Sequence, residues 1–233
     1  MPEIPELNLV PILPEIVVSG MALLILLLDA IRPSRQQTHL VALSLAGILG
    51  AAAPLFRAWS VPPADGLTAL GGAIAVDRYS VFFRLILLAI AAIGVLLSAH
   101  YLARTGEGRG EYYALLLFAT TGMMLLASAA DLLVVFLSLE VLSLSLYVLS
   151  GISRRRLASQ EASLKYFLLG AFSSAFFLYG VAMAYGATGT TSLGGIADAL
   201  SGQTESLSLA LTAAGLLAVG FAFKVAAVPF HMW

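Results

Sequence analysis

The sequence predicts an all-α fold: a polytopic bundle of about seven transmembrane helices in which the seventh helix is broken. Three observations predict it. The 233 residues are 60% hydrophobic and only 11% charged, with a mean hydropathy of +0.97, whereas a soluble domain carries about 25% charged residues. Seven apolar segments are each long enough to cross about 30 Å of hydrocarbon. The last of them contains Lys224, with Pro229 five residues on. A proline has no N–H to give the carbonyl of Val225, so the helix weakens beside the lysine.

The predicted spans are 10–31, 39–57, 78–101, 111–129, 131–151, 162–185 and 206–228, forming one transmembrane domain over residues 1–233. The chain starts Met1-Pro2-Glu3-Ile4-Pro5-Glu6, which is acidic and lacks a basic leader. The first segment therefore reads as a retained helix and not as a cleaved signal peptide. The first connection is basic, with Arg32 and Arg35. The second, 58–77, is rich in Pro and Gly and carries Asp65 and Asp77. The third holds Arg104 and Arg109, the fourth is a tight turn at Asp131, and the fifth is Arg154-Arg155-Arg156. The sixth, 186–205, has Asp198 and Glu205 and no lysine or arginine, and its glycine-rich piece 186–189 reads as loop. Basic connections alternate with acidic or neutral ones, so the positive-inside rule puts the N-terminus outside. Arg57, Arg78 and Arg84 fall near outer helix ends, where snorkelling accounts for them. Trp59, Tyr79 and Tyr101 fall where interfacial aromatics belong. Small-residue pairs such as Gly47/Ala51 and Gly170/Ser174 suit close helix contact in lipid.

The charges inside the spans carry the functional signal. The chain has two lysines, Lys165 and Lys224, both within apolar segments, while its arginines lie at or near segment ends. Arginine stays protonated, but a desolvated lysine can give up its proton. A lysine at the centre of a membrane helix costs roughly 2.5–3.5 kcal/mol on insertion scales, so it rarely sits there without a role. Glu140 is the acid deepest in an apolar run, and Ser143 and Tyr147 share its helix face. Glu140 reads either as a structural acid that holds the bundle together or as a proton site that tunes a cation. Lys224 is its partner by sign: desolvation favours the neutral amine, and a nearby carboxylate favours the ammonium. The other reading of Lys224 is a side chain reaching the interface. Lys165 follows Glu161 at i,i+4, so an ion pair and a pathway role both stand. His231 lies two turns beyond Lys224, on the same face if the helix resumes, and suits either proton hand-off or a structural place. Asp131 reads as a helix N-cap.

Other function classes are weakened or excluded. Without cysteine there is no thiolate metal site, iron–sulfur ligation or disulfide. A net charge of −1 makes no case for nucleic acid. No phosphate-binding loop, H-E-x-x-H or dinucleotide fingerprint is present.

Three stretches resemble one family. They are Ser138-Leu139-Glu140; Glu161-Ala162-Ser163-Leu164-Lys165-Tyr166-Phe167 with Leu178-Tyr179-Gly180; and Gly220-Phe221-Ala222-Phe223-Lys224 leading to Val228-Pro229-Phe230-His231-Met232-Trp233. The chain resembles the antiporter-like membrane subunits of respiratory complex I, the NADH-quinone oxidoreductase, and most of all the subunit N type. The resemblance implies proton translocation through a polar axis in mid-membrane. It places Glu140 on the fifth helix, Lys165 on the sixth, Lys224 on a broken seventh, and His231 after the break. It implies no cofactor in this chain, with NADH, FMN, iron–sulfur clusters and quinone in partner subunits. Its expected surroundings are other membrane subunits of the complex, the lipid bilayer and protons, in a bacterial inner membrane. The plan is shared with Mrp-type sodium/proton antiporter subunits and membrane hydrogenase subunits, so a cation/proton antiporter subunit and a non-transporting scaffold are the alternatives. Family members continue into a second inverted repeat with further lysines, so the chain is expected to be an N-terminal half.

Overall fold

The computed structural model describes residues 9–31, 38–60, 67–105, 109–202 and 207–232. The stretch 1–6, Arg32, Arg35, Asp65, Glu205 and Trp233 lie outside the described residues. Among the described residues, seven helices are long and apolar enough to cross a membrane. These are α1 (Leu13–Ile31), α2 (Thr38–Ser60), α3 (Arg78–Thr105), α4 (Gly110–Ser128), α5 (Leu132–Ser150), α6 (Leu157–Thr188) and α8 (Leu207–Lys224). A short helix, α7 (Leu193–Ser201), precedes α8, and β1 (Leu67–Ala69) pairs antiparallel with β2 (Ile74–Val76) ahead of α3. The chain is a multi-pass membrane protein.

Each span buries one stripe. On α1 the stripe is Val18, Ala22 and Ile25, and on α3 it includes Leu88, Ala91, Val95 and Leu102. The spacing of three, four and seven is one face of a helix. The other face of α3 exposes Phe82, Ile90, Ile93 and Leu97, the apolar surface a spanning helix turns to lipid. α4 packs on α1, α3 and α5, while α6 packs on α5 and α8. One apolar cluster joins α1 to α4, and a second joins α5, α6 and α8. Small residues bring the helices close. A Cβ on Gly47 would meet Met21 at 2.7 Å, and one on Gly122 would meet the α5 backbone at 2.7 Å (Leu142 N) and 2.8 Å (Ser138 O).

The charged connections gather at one end. Arg109 and Arg154 approach Glu111 at 4.0 and 3.9 Å, and the Gly110 N–H donates to Asp29 at 2.9 Å. At the opposite end the α4–α5 turn is the organising point. Ala130 N–H donates to the Ala73 carbonyl, and Leu193 N–H donates to that of Ala130, both at 2.9 Å. Asp131 caps α5 by accepting from the Leu133 N–H at 2.8 Å, and it also accepts from the Thr191 hydroxyl at 2.6 Å.

Four expectations change. The piece 186–189 is not all loop: α6 continues to Thr188 and stops at Gly189, whose φ of +74° ends the helix. The sixth connection contains α7, capped by the Ser192 hydroxyl. The second connection contains the β1–β2 hairpin, which is too short for sequence periodicity to reveal. Arg84 does not snorkel. It is 0% exposed, and its Nε lies 3.0 Å from a carboxylate oxygen of Glu15, itself 3% exposed. Arg84 also donates to the Pro11 carbonyl at 3.2 Å. It shares the buried stripe of α3 with Leu88, so its side chain points at α1 and away from the interface. Arg57 and Arg78 are exposed near helix ends.

Candidate functional site

Three helices build the site. On α5, Glu140, Ser143 and Tyr147 share one face. The α5 serines fold their hydroxyls back: Ser143 donates to the Leu139 carbonyl at 2.5 Å and Ser145 to that of Val141 at 2.8 Å. Such i−4 bonds satisfy a hydroxyl where no water is at hand. On α6, Gly170, Ser173 and Ser174 face inward. Ser174 donates to the Glu140 carboxylate, and Ser173 donates to the Gly220 carbonyl at 3.3 Å.

α8 supplies the cation by stopping. Its last residue is Lys224. Ala226 takes a left-handed φ of +51°, its N–H donates to the Phe223 carbonyl at 3.1 Å, and the Ala227 N–H donates to the Ala222 carbonyl at 2.8 Å. This is the Schellman arrangement, with alanine in the place glycine usually takes. The break falls at the lysine itself, ahead of Pro229. Lys224 donates to the Ser143 hydroxyl at 2.5 Å, level with the middle of α5, and its ammonium lies 5.7 Å from the centre of the Phe223 ring. It therefore does not reach for the interface. Glu140, Ser173, Ser174 and Lys224 line one narrow crevice, walled by Phe136 and Phe177. Among the described residues no direct ion pair joins Glu140 to Lys224.

The other candidates stand apart. Lys165 pairs with Glu161 at i,i+4, and both side chains are exposed on α6. His231 is exposed beyond the break, and no helix resumes through residue 232, so it does not continue the Lys224 face. Among the described residues no three His, Cys, Asp or Glu side chains come together as metal ligands would. Sequence reasoning missed two things. Ser174 read only as a helix-packing residue, although its place four after Gly170 already put it on the α5 side. The Glu15–Arg84 pair was hidden because Glu15 lies early in the first span, where an acid resembles a helix-start residue.

A carboxylate and a lysine face one crevice inside a seven-span bundle, with the lysine at a helix break, and the architecture is that of the antiporter-like membrane fold. The comparisons agree. Residues 129–233 match the family described as NADH:quinone oxidoreductase/Mrp antiporter, TM. The chain is 42% identical to NADH-quinone oxidoreductase subunit N of Trichlorobacter lovleyi, over 97% of this chain and 46% of that protein. Among solved structures, it resembles a chain of respiratory complex I from Thermus thermophilus. There the identity is 38%, the TM-score is 0.74, and 95% of this chain and 46% of the other are covered. It shares the fold with a chain of the Mrp complex from Dietzia sp., at 23% identity and TM-score 0.71 over 96% of this chain and 24% of that one. The chain belongs to the subunit N family of NADH-quinone oxidoreductases, and it spans about half the length of the curated relatives it matches.

Proposed function

We propose that this chain is part of a proton-translocating membrane subunit of an NADH-quinone oxidoreductase, with Lys224 as the proton carrier and Glu140 as the group that tunes it. The observation that carries the reading is the position of Lys224: a lysine that ends a helix inside the bundle, in the same crevice as Glu140. An intramembrane ionisable group at a helix break is how many transport sites are built. While Glu140 is a carboxylate it favours a charged Lys224; when it gains a proton or withdraws, Lys224 can release its own. His231, past the break, takes the proton onward into a second repeat beyond this half. Lys165, beside its Glu161 partner, serves a neighbouring step of the same polar axis. The chain carries no redox centre of its own; NADH, FMN, iron–sulfur clusters and quinone react in partner subunits, and other membrane subunits pass the energy to this one. The membrane is a bacterial inner membrane with the N-terminus outside, a reading supported by the basic connections gathered at one end.

The test uses inside-out vesicles carrying the complete oxidoreductase. Lys224→Ala is expected to abolish NADH-driven proton uptake while the complex still assembles on native gels. Normal uptake in that variant would overturn the reading. Sodium-dependent pH changes without NADH or quinone would point instead to a cation/proton antiporter.

A further inference from the structure

A cavity of about 180 Å³ lies between α6, α7 and α8, at the end of the bundle that holds the α4–α5 turn. α8 turns Ala210, Ala213, Ala214 and Leu217 into it, one helix face by spacing. α6 contributes Ala184 and Thr188, and α7 contributes Leu193, Ile196 and Leu200, the apolar stripe of an amphipathic helix. None of the α7 residues is buried, so this stripe lacks the packing such a face normally gains. α7 is tied at its start to the α4–α5 turn, where the Leu193 N–H donates to the Ala130 carbonyl at 2.9 Å. Deeper in the bundle α6 and α8 touch: a Cβ on Gly180 would meet the Leu217 nitrogen at 2.9 Å. Toward the turn, the small side chains face a space instead of a neighbour. Thr188 is the one polar side chain of this lining among the described residues. Its hydroxyl donates to the carbonyls of Ala184 and Thr190 at 2.8 and 3.1 Å, so its hydrogen is already used.

We propose that this cavity is a lipid site, which takes one acyl chain of a phospholipid from the leaflet at the α4–α5 turn. Three candidates could fill it, and its size and chemistry decide among them. Water needs two to four polar partners and stays out of apolar cavities; one of about 150 Å³ remains dry and binds benzene-sized apolar guests. A helix from another protein segment is about 10 Å across, so even 10 Å of its length needs roughly 800 Å³, far more than the cavity holds. A single hydrocarbon chain is narrow enough, and it is the phase that surrounds the spans. Leu193 and Leu200 are 43% and 44% exposed, and Ala214 is exposed as well, so the rim is open to that phase. In lipid the gain comes from van der Waals contact, because atoms lining an empty space lack partners on one side. From Ala210 to Leu217 the site is about 10 Å deep. Its deepest residue, Leu217, stands two turns before Lys224, so the chain braces α8 against α6 and α7 and stops short of the polar crevice.

The test reconstitutes the whole oxidoreductase in phosphatidylethanolamine/phosphatidylglycerol vesicles doped with a phosphatidylethanolamine that carries a photoreactive diazirine on one acyl chain. After a chase with excess unlabelled lipid, the vesicles are illuminated and adducts are mapped by mass spectrometry. Ile196, inside the cavity, is compared with Leu211, which is 64% exposed outside it. The Ile196 adduct is expected to survive the chase while the Leu211 adduct is lost. Ala214→Phe puts a ring into the cavity from its rim. It is expected to lower the Ile196 adduct roughly ten-fold, because the ring takes the contacts the chain would make, and to leave Leu211 labelling before the chase unchanged. Ile196 labelling that the chase removes as fast as that of Leu211, or that Ala214→Phe leaves intact, would overturn the proposal. So would the lack of any Ile196 adduct in the wild type, the outcome if a side chain of a neighbouring subunit fills the space. Should Ala214→Phe fail to assemble on native gels, Ala210→Phe is read in the same way, and survival of the wild-type adduct through the chase decides without either variant.

Discussion

Arg84→Met is the substitution whose cost the structure defines most closely. Arg84 and Glu15 are buried at 0% and 3% exposure, 3.0 Å apart, between α1 and α3. Removing the guanidinium leaves the Glu15 carboxylate buried without its counter-charge, which costs about 3–5 kcal/mol. Glu15 can escape by taking up a proton. For a group that ordinarily titrates near 4.3, doing so at pH 7 costs about 4 kcal/mol, so the two routes agree. The charge-assisted bond to the Pro11 carbonyl is lost as well, at about 1.5–3 kcal/mol. The double variant Glu15→Met/Arg84→Met loses that bond but strands no charge, and apolar replacement of a buried pair is often neutral or stabilising by about 1–4 kcal/mol. The single variant should therefore lose roughly 5 kcal/mol or more, and the double variant should recover most of it. Unfolding in mixed detergent micelles, run as a double-mutant cycle, measures this. Additive losses, with the double variant as unstable as the two singles summed, would show that the pair is not coupled and refute the reasoning.

Two further outcomes follow from backbone geometry. Ala226 holds a left-handed φ of +51° at the end of α8, a conformation that costs a non-glycine residue roughly 1–2 kcal/mol. Ala226→Gly should stabilise the folded subunit by about 0.5–1 kcal/mol after the extra unfolded-state freedom is counted, and a lower melting temperature would contradict the Schellman assignment. Gly122→Ala should cost about 1–3 kcal/mol by overpacking, because its Cβ meets the α5 backbone at 2.7 and 2.8 Å, where no side chain can give way. Unchanged thermal stability of that variant would mean α4 and α5 do not approach so closely.

The spans were legible because lipid allows little else: long apolar runs must be helices. The Asp131 cap was legible because its side chain acts within its own turn. The place of Lys224 in mid-bundle was only half legible. Composition showed a lysine inside an apolar run, and Pro229 announced a break, but the helix stops five residues earlier because Ala226 turns left-handed. Nothing in the identity of an alanine signals that. Arg84 and Glu15 are far apart in the chain, and their pairing depends on which stripes of α1 and α3 face each other. The segment boundaries did not carry that information, so an arginine near a helix end read as interfacial. The short β1–β2 hairpin and α7 are held by bonds to the α4–α5 turn, which are contacts of place rather than of pattern.

Among the described residues, Glu15 and Glu140 each face a base inside the bundle, Glu15 in a buried ion pair and Glu140 across a half-buried crevice, and the chemistry of the two differs. Glu15 meets an arginine, which stays protonated, in direct contact at 3.0 Å. Such a pair is costly to break and suits a fixed joint between helices. Glu140 faces a lysine, which can deprotonate when desolvated. Serines stand between them: Ser174 on the carboxylate and Ser143 on the ammonium. The charge of Lys224 is supported in part by the carbonyl end of α8, where a helix carries about half a negative charge, and in part by the Phe223 ring. Each support is partial and each can be exchanged. A cation held by several weak partners can change its protonation without stranding a full counter-charge, which a tight arginine pair cannot do. The difference between arginine and lysine, visible first as the division of charges along the sequence, thus separates the fixed joint from the proposed proton site.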